Sequence, residues 1–430
     1  MKRINKEILK RIIIENRDYI SKIPTNFVDR ECVRLPGEIK KVIILYGVRR
    51  SGKTYILYHL MRQNPNNSLY IDFEDDRLEG FSVEDFETLR EAFFELFPGL
   101  IREKVYFLLD EIQVVDGWEK FCRRLVEKSN AEVVAAGSSS KIHPENISTI
   151  LRGRAWSIEV FPFSFREFAT FKGIKLGDFL SVSNERFRVV ECFREYLKWG
   201  GFPEVTAAPG EFDKQRIVEE YLDAIFFKDL VERYEISNLI LLKSLKNKIY
   251  STFATKFSLI SFYNKSKGNF PFSKDLLYKY YRHLLDSKTV FEVRKYSDSE
   301  YQKSRNPAKV YIIDPALAQK VVHDDTARVL ENIVFIELLR RGFKPHYYLQ
   351  VNECDFVVSK GDKTDVIQVT YQMEAGNRER ELKGIIEAAQ HTHSKEGYIL
   401  TFDEEAEDIV DGISIKIIPT WKWLLGIPPK

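Results

Sequence analysis

The stretch KVIILYGVRRSGKTYILYHL, residues 41–60, constrains the fold more than any other part of the chain. An apolar run ends there at a glycine-rich segment, and a helical pattern begins directly after it. Gly47, Gly52, Lys53 and Thr54 match the pattern G-x-x-x-x-G-K-[ST]. A strand, such a loop and a helix in succession predict a phosphate-binding loop.

The loop predicts a site for a triphosphate and its metal ion. Glycines let successive backbone N–H groups turn toward phosphate oxygens, and the N-terminus of the following helix adds partial positive charge. Lys53 is the expected charge on the β- and γ-phosphates, and the Thr54 hydroxyl is an expected Mg²⁺ ligand. The predicted nucleotide-binding residues are consecutive in the chain: Gly47, Val48, Arg49, Arg50, Ser51, Gly52, Lys53, Thr54 and Tyr55.

An acidic pair completes the expected site. In VYFLLDEIQ, residues 105–113, Asp110 and Glu111 follow a strand-like apolar run. Because open α/β sheets bind ligands at the carboxyl ends of their strands, we expect this pair beside the loop. We predict that Asp110 holds Mg²⁺, directly or through water, and that Glu111 is the general base for the attacking water. The alternative is an acidic pair that only caps a helix.

Two further candidates follow the run AEVVAAGSSS, residues 131–140. Ser138 is predicted to hydrogen-bond the γ-phosphate or the attacking water, although serines after a strand are also typical of a simple turn. Arg154, in LRGRAW, is predicted to reach either a phosphate of its own chain or the nucleotide of a neighbouring subunit. A surface arginine is the alternative. The predicted catalytic residues are therefore Lys53, Glu111, Ser138 and Arg154.

The first third of the chain alternates short apolar runs with amphipathic stretches. This alternation predicts an α/β fold with a parallel sheet covered by helices. From about residue 160 the pattern becomes mainly helical, and the last hundred residues return to a mixed α/β pattern.

The composition excludes several classes of protein. The chain is 44% hydrophobic and 30% charged, as in ordinary globular proteins, and its net charge of +2 means that any nucleic-acid contact must be local. The four cysteines lack the spacing of a zinc site or a disulfide framework. No apolar run approaches the ~18 residues that span a membrane. We therefore expect a cytoplasmic protein with no membrane partner.

With these motifs in order, the chain resembles the archaeal and bacterial P-loop ATPases of the AAA+ type that carry a C-terminal module similar to PD-(D/E)XK nucleases. The matching segments span most of the chain: YGVRRSGKT, LYIDFEDDRL, FLLDEIQVVDGWE, AAGSSSKI, LRGR, FPFSFREF, YLKWGGFPEV and CDFVV. The resemblance implies binding and hydrolysis of ATP with Mg²⁺ at the residues named above, with Ser138 as the sensor.

The resemblance also implies four parts. Residues 1–160 are expected to form an AAA+-like P-loop ATPase domain with an N-terminal helix. Residues 161–236 are expected to be a helical lid or linker, and residues 237–320 a winged-helix-like domain. Residues 321–430 are expected to form an α/β nuclease-like domain.

A basic helix in the middle region is a candidate surface for double-stranded DNA. Helical spacing after Ser273, followed by two strand-like runs, resembles a winged helix, and RKYSDSEYQKSRNPAK, residues 294–309, is a candidate cationic wing. Basic side chains there predict contacts with DNA phosphates. The candidate residues are Lys274, Lys279, Arg282, Arg294 and Lys295. A solvated helix face with a polar loop is the alternative.

The nuclease-like part departs from the pattern of an active enzyme. A PD-(D/E)XK site needs an Asp on one strand and Glu-x-Lys on the next, all on one face, to bind Mg²⁺ and activate water. Asp355 fits the first position and Glu331 fits a helix glutamate, but Gln368 and Thr370 stand where Glu and Lys are required. Because Gln is a poorer Mg²⁺ ligand and Thr lacks the lysine charge, we predict an inactive site.

The sequence thus predicts an Mg²⁺-dependent ATPase whose nucleotide state rearranges the winged-helix and nuclease-like parts against DNA, and a homo-oligomer is a further expectation. Two alternatives stay open. One is an ATP-dependent signalling switch that binds proteins and not DNA, and the other is an ATP-controlled nuclease.

Overall fold

The computed structural model describes residues 4–24, 27–34, 39–138, 142, 144–175, 185–297, 306–318, 325–361 and 363–427. The chain divides into two compact units, Met1–Phe161 and Pro162–Lys430. None of the helices in the described ranges combines the length and the apolar character that crossing a membrane requires.

The first unit is built on a parallel sheet of five strands. The strands are β1 Val42–Tyr46, β2 Ser68–Asp72, β3 Val105–Asp110, β4 Ala131–Ala136 and β5 Ala155–Glu159. Their order across the sheet is β2-β3-β4-β1-β5, and every neighbouring pair is parallel. All the strands therefore end at the same edge of the sheet.

Helices cover both faces of this sheet, as the alternating sequence pattern predicts. They are α1 Lys6–Lys22, α2 Lys53–Gln63, α3 Asp85–Leu96, α4 Trp118–Lys128 and α5 Pro144–Ile150. Ile44 and Leu109 belong to the core shared with α1, α3 and α4, whereas Ile43 and Leu108 belong to the core shared with α2. Burial on both faces explains why successive strand residues are apolar.

Helix α1 covers the edge of the sheet at β2. The Asn16 side chain donates a hydrogen bond to the Tyr70 carbonyl at 3.3 Å, and Arg17 donates to the Ser68 carbonyl at 3.2 Å. An uncovered edge strand presents unpaired backbone groups to other chains. The N-terminal helix thus satisfies carbonyls that the sheet itself leaves unpaired.

The second unit begins with a helical region, as predicted. Its helices are α6 Phe165–Phe171, α7 Glu185–Trp199, α8 Pro203–Ala207 and α9 Glu211–Ala224, and a π-helix, Ile225–Glu232, continues α9. Two glycines after α7 make room for a buried carboxylate. Asp314 accepts hydrogen bonds from the Gly201 and Ala316 N–H groups at 2.7 and 2.9 Å, and a Cβ at Gly200 would lie 1.7 Å from its Oδ1.

The middle region contains α10 Leu239–Ser251, α11 Leu259–Ser266 and α12 Lys274–Asp286. Its strands are β6 Thr255–Phe257, β7 Val290–Val293 and β8 Ala308–Ile312, in the antiparallel order β6-β8-β7. The sequence predicted a ribbon of two strands and missed β6, which is three residues long and half-buried at two of them. Residues 298–305 of the predicted wing lie outside the described residues.

The C-terminal region is a mixed α/β layer. Its strands are β9 His346–Leu349, β10 Glu353–Lys360, β11 Lys363–Val369, β12 Glu396–Thr401, β13 Ala406–Val410 and β14 Ile413–Pro419. They follow the order β13-β14-β12-β11-β10-β9, with β11, β12 and β14 parallel. The helices are α13 Thr326–Arg340, α14 Arg378–His391 and α15 Thr420–Leu425. Ile385 and Ala388 of α14 pack against Val357 and Val366 of the sheet.

Candidate functional site

The loop between β1 and α2 has a backbone that requires glycine at two positions. Gly47 has φ +138°, and a Cβ there would lie 2.4 Å from the Val160 carbonyl oxygen. Gly52, with φ +98°, lies directly before α2 and has no side chain with which to cap it. The first backbone N–H groups of α2 are therefore suited to an anion.

Lys53 lies inside the loop. It is 5% exposed, and its ammonium donates hydrogen bonds to the Gly47 and Val48 carbonyls at 3.0 and 2.7 Å. Ser51 is fully buried, and its hydroxyl has no hydrogen-bond partner among the residues that the structure describes. A phosphate would offer Lys53 a charged acceptor in place of neutral carbonyls, and charge-assisted hydrogen bonds are the stronger ones. The donors of the loop therefore fit a phosphate group.

Arg30 supports the loop from a preceding segment. Its guanidinium donates to the Ser51 carbonyl at 2.8 Å and to the Phe161 carbonyl at 2.5 Å. Sequence reasoning missed this residue, because a single arginine 21 residues before its partner carries no motif.

The other predicted loop side chains lie toward the outside. Arg49 is 4.0 Å from the Glu74 carboxylate, and Arg50 is exposed with φ +64°. Tyr55 is exposed on α2, and its ring is 6.1 Å from that of Phe27. The structure thus brings Gly47, Gly52 and Lys53 together as predicted, but places these three side chains at the periphery.

Asp110 and Thr54, the predicted metal ligands, are in contact. The Thr54 hydroxyl is hydrogen-bonded to the Asp110 carboxylate, and the Tyr70 hydroxyl donates to Asp110 Oδ2 at 3.1 Å. Burial raises the pKa of Asp110 to about 6, the Thr54 hydrogen bond opposes this shift, and the charges of Glu111 and Asp72 add to it. Carboxylate and hydroxyl oxygens are ligands that suit Mg²⁺, so the pair fits this ion.

Glu111 adopts a strained backbone conformation at the end of β3. It has φ +46° and ψ +37°, a left-handed conformation that costs a residue with a side chain about 1–3 kcal/mol. Its N–H donates to Asp110 Oδ1 at 3.1 Å, and Ser138 Oγ donates to its Oε2 at 3.4 Å. The Gln113 amide also donates to Oε2, a contact that sequence reasoning missed. Such strain is typical of functional sites.

The order of the strands places these groups together. Strand β4 lies between β1 and β3, so Ser138 follows the strand between the loop and the acidic pair. The loop, Ser138 and the acidic pair therefore lie at the carboxyl ends of three adjacent strands.

Arg154 lies at the opposite edge of this sheet. Its carbonyl accepts from the Val42 N–H at 2.7 Å, at the amino end of β1, and its Nε is 3.4 Å from Glu127 Oε1. Because β1 has five residues, roughly 15 Å of strand separates Arg154 from the loop. The alternative in which Arg154 reaches a phosphate of its own chain is therefore wrong. A role toward a neighbouring subunit stays a prediction.

Helix α12 presents three of the candidate DNA-binding residues on one face. Lys274, Lys279 and Arg282 are exposed, whereas Leu277 and Leu284 are buried on the other side. The remaining two candidates lie after β7, where Arg294 is 3.6 Å from Glu292 and Lys295 forms a β-bridge with Tyr347. The exposed side of α12, which carries these three cations and also Asp275, is thus the more accessible part of this surface.

The residues of the predicted nuclease-like site meet around Lys309, which the sequence analysis placed in the candidate cationic wing. Lys309 of β8 is 4% exposed, and its ammonium lies 2.8 Å from Asp355 Oδ1, 3.0 Å from Glu331 Oε1 and 2.9 Å from Glu353 Oε1. Tyr311 donates to the same oxygen of Glu331 at 2.7 Å. Although burial lowers the pKa of Lys309, the charges of Asp355 and Glu331 raise it well above its usual value. A protein cation therefore lies among these carboxylates.

Gln368 and Thr370 take other roles beside this cluster. Gln368 Oε1 accepts from the Asp355 N–H at 3.1 Å, and its amide donates to Glu381 Oε2 at 2.5 Å. Thr370 lies just past the end of β11 and donates to the Gln372 carbonyl at 3.3 Å. The structure thus brings Glu331, Asp355 and Gln368 together, while Thr370 binds its own turn.

Family models match three consecutive parts of the chain. Residues 39–169 match an AAA domain, residues 190–328 match the domain of unknown function DUF8612, and residues 327–423 match the domain of unknown function DUF4143.

Relatives cover nearly the whole chain. An uncharacterized protein of Methanocaldococcus jannaschii is 33% identical over 442 aligned residues, which cover 98% of this chain and 96% of that protein. An uncharacterized protein of Haemophilus influenzae is 28% identical over 392 aligned residues, which cover 88% of this chain and 93% of that protein. The structure of a Walker-type ATPase of Pyrococcus abyssi is similar with a TM-score of 0.42 and 17% identity, covering 74% of this chain and 96% of that one. The chain belongs to the family of the Methanocaldococcus jannaschii protein, and its N-terminal part carries an AAA domain.

Proposed function

We propose that the chain binds ATP with Mg²⁺ and hydrolyses it at the carboxyl edge of the first sheet. One observation carries this proposal: the phosphate-binding loop, Ser138 and the acidic pair Asp110–Glu111 follow three adjacent parallel strands. The match to an AAA domain over residues 39–169 supports the same function.

Each group has a separate task in the proposed reaction. Lys53 exchanges its hydrogen bonds to the Gly47 and Val48 carbonyls for hydrogen bonds to the β- and γ-phosphates. The first N–H groups of α2 bind the same phosphates. Thr54 and Asp110 would hold Mg²⁺, which when bound neutralises charge on the phosphates. Glu111 orients the attacking water and accepts its proton, and Ser138 lies within reach of the Glu111 carboxylate.

Phosphate release tests this assignment. We expect wild type to hydrolyse ATP, whereas Glu111→Gln should bind ATP but lose at least about 100-fold in turnover, since general bases contribute about 10²–10⁴-fold. The partly exposed Glu119→Gln, on α4, is a matched control and should turn over like wild type. Full turnover in Glu111→Gln would remove Glu111 from the mechanism.

We propose DNA as the partner of the second unit. The order α10, β6, α11, α12, β7, β8 with a three-stranded antiparallel sheet resembles that of a winged helix, and α12 exposes Lys274, Lys279 and Arg282 together with Asp275. ATP turnover that rises with duplex DNA at low salt, and rises less as salt increases, would support this proposal. A rate of ATP turnover that does not change when DNA is added would favour the alternative of a protein-binding switch.

We propose that the C-terminal region has a nuclease-like fold without nuclease activity. Lys309 lies among the carboxylates that would bind a metal ion, and Gln368 replaces one of them. Incubation of supercoiled plasmid with Mg²⁺ or Mn²⁺ should leave it intact. Nicking by wild type that disappears in Asp355→Ala would establish nuclease activity instead, and a change in nicking on addition of ATP would establish its control by ATP.

We also propose that the active form is a homo-oligomer. Arg154 precedes β5 at the amino edge of the sheet, so any contact with a nucleotide must come from a neighbouring copy. Mixing the Arg154→Ala and Glu111→Gln variants should restore part of the ATP turnover if one site takes Glu111 from one subunit and Arg154 from its neighbour. Some sites in the mixture would then contain both intact residues. No recovery in any mixture would remove Arg154 from catalysis.

A further inference from the structure

Gln113 contacts the predicted general base, Glu111. Its side-chain amide donates a hydrogen bond to Glu111 Oε2, the oxygen that also accepts from Ser138 at 3.4 Å. Gln113 belongs to the short 3₁₀ turn Ile112–Val114 that directly follows Glu111. The Glu111 side chain is therefore held at one oxygen by donors from the ends of two different strands.

Gly137 provides the space for this amide. A Cβ at Gly137 would lie 1.9 Å from Gln113 Oε1 and 2.9 Å from its Cδ. Gly137 is buried, and its N–H donates to the Leu45 carbonyl at 3.1 Å, which fixes it beside the end of β1. Its φ is not positive, unlike that of Gly47, so the steric contact is the reason for glycine here. The fit of Gln113 thus depends on a residue 24 positions away.

We propose that Gln113 is a positioning residue for hydrolysis, which anchors one carboxylate oxygen of Glu111 and leaves the other to accept a proton from the attacking water. In this step the water oxygen bonds to the γ-phosphorus, the bond between that phosphorus and the ADP oxygen breaks, and the water proton moves to Glu111. Gln113 touches none of the reacting atoms and acts only through Glu111. The inference rests on the proposed ATPase function.

The strained backbone of Glu111 explains why such an anchor matters. A residue at φ +46° and ψ +37° directs its side chain differently from a strand residue, so the carboxylate orientation depends on its contacts. Small displacements of a catalytic group from its productive geometry cost large factors in rate. Removing the anchor should therefore lower turnover while leaving the phosphate-binding loop unchanged.

Steady-state kinetics of Gln113→Ala and Gly137→Ala test this inference. Both variants should lose about tenfold or more in kcat, with KM for ATP changed less than about twofold. Gly137→Ala removes no hydrogen-bonding group but places a Cβ where the Gln113 amide lies, so it should share the defect of Gln113→Ala. Gly99→Ala is the matched control, because a Cβ there meets no atom within 4 Å, and it should behave like wild type.

The neutral variant Gln113→Met separates positioning from a merely structural role. It keeps the approximate size of the side chain but removes the amide that donates to Glu111 Oε2. It should therefore lose kcat as Gln113→Ala does, with KM for ATP changed less than about twofold. A role in packing alone would leave kcat near the wild-type value.

The outcomes distinguish this inference from the proposed function. If Glu111→Gln is inactive while Gln113→Ala and Gly137→Ala keep wild-type kcat, the positioning role is wrong and the ATPase assignment stands. If wild type itself fails to hydrolyse ATP, the proposed function is wrong. A rise in KM with unchanged kcat would place Gln113 in nucleotide binding and overturn its role toward Glu111.

Discussion

Replacing Lys309 by methionine should destabilise the second unit strongly and in a pH-dependent way. The Lys309 ammonium is almost fully buried and lies within 3.0 Å of oxygens from Glu331, Glu353 and Asp355. Methionine approximates the length of the side chain and removes only the charge and its hydrogen bonds. Two buried carboxylates, Glu331 and Asp355, then face each other without a cation.

The magnitude follows from the burial of these partners. Removing one member of a buried ion pair costs about 3–5 kcal/mol, because the remaining charge is left uncompensated. Lys256 provides the comparison, since its ammonium pairs with Glu353 at 2.7 Å but both side chains are about one-third exposed. Partly exposed pairs contribute about 0.2–1 kcal/mol. We therefore expect Lys309→Met to cost several times more than Lys256→Met.

The pH dependence follows from Glu331. Burial raises the pKa of Glu331 to about 7, the Asp355 charge adds to this shift, and Lys309 opposes it. A carboxyl with a raised folded-state pKa contributes stability at low pH that is lost as pH rises from its ordinary value toward 7. Without Lys309 this loss should grow, so the free energy difference from wild type should be larger at pH 8 than at pH 5.5.

Urea denaturation of wild type, Lys309→Met and Lys256→Met at both pH values measures these differences. Adding Glu331→Gln and Asp355→Asn to Lys309→Met should recover part of the stability, because neutral groups need no cation. A loss below about 1 kcal/mol, an equal loss at both pH values, or an equal loss in Lys256→Met would refute this account of the cluster.

Two further predictions concern other parts of the second unit. Replacing Lys274, Lys279 and Arg282 together by alanine should lower the slope of log DNA affinity against log salt by about 2–3, since each phosphate contact contributes about 0.9. Anisotropy titrations of a labelled duplex at several salt concentrations measure this slope. An unchanged slope would exclude α12 from the contact with DNA. Gly200→Ala should cost about 2–6 kcal/mol, because its φ is +68° and the new Cβ would strike Asp314. A melting temperature within a degree of wild type would contradict the crowding inferred there.

The first sheet and the positions of its candidate site residues could be predicted because their signals are local in the sequence. Gly47, Gly52 and Lys53 stand within seven residues, between a strand and a helix that the apolar pattern already indicates. Asp110 and Glu111 end an apolar run, and the carboxyl ends of parallel strands share one edge. No long-range contact has to be known to bring these groups together.

The Lys309 cluster could not be predicted in the same way. Its partners Glu331 and Asp355 are 22 and 46 residues further along the chain. Glu331 lies on helix α13 and Asp355 lies on strand β10, whereas Lys309 lies on strand β8. The only local signal is a lysine on the same strand face as Tyr311 within an otherwise apolar run. Such a pattern indicates a buried charge that needs a partner, but it does not indicate which one.

Arg154 illustrates an inference that the sequence did permit. The residue comes directly before β5, and in a parallel sheet the residue before a strand lies at the amino edge, away from the site. Strand direction alone could therefore have excluded a contact between Arg154 and a nucleotide bound to its own chain, an alternative that the sequence analysis left open. Gln113 is the opposite case, because its position depends on the steric space at Gly137, which no spacing reveals.

Calorimetric titration with a non-hydrolysable ATP analogue and Mg²⁺ tests whether the loop and the acidic pair form one nucleotide site. Wild type and the surface control Lys22→Ala should bind one analogue per chain, whereas Lys53→Ala should weaken binding at least about 100-fold, since it removes the buried ammonium from the phosphates. Binding of equal strength in Lys53→Ala, or none in wild type, would contradict a nucleotide site between the loop at residues 47–54 and the acidic pair.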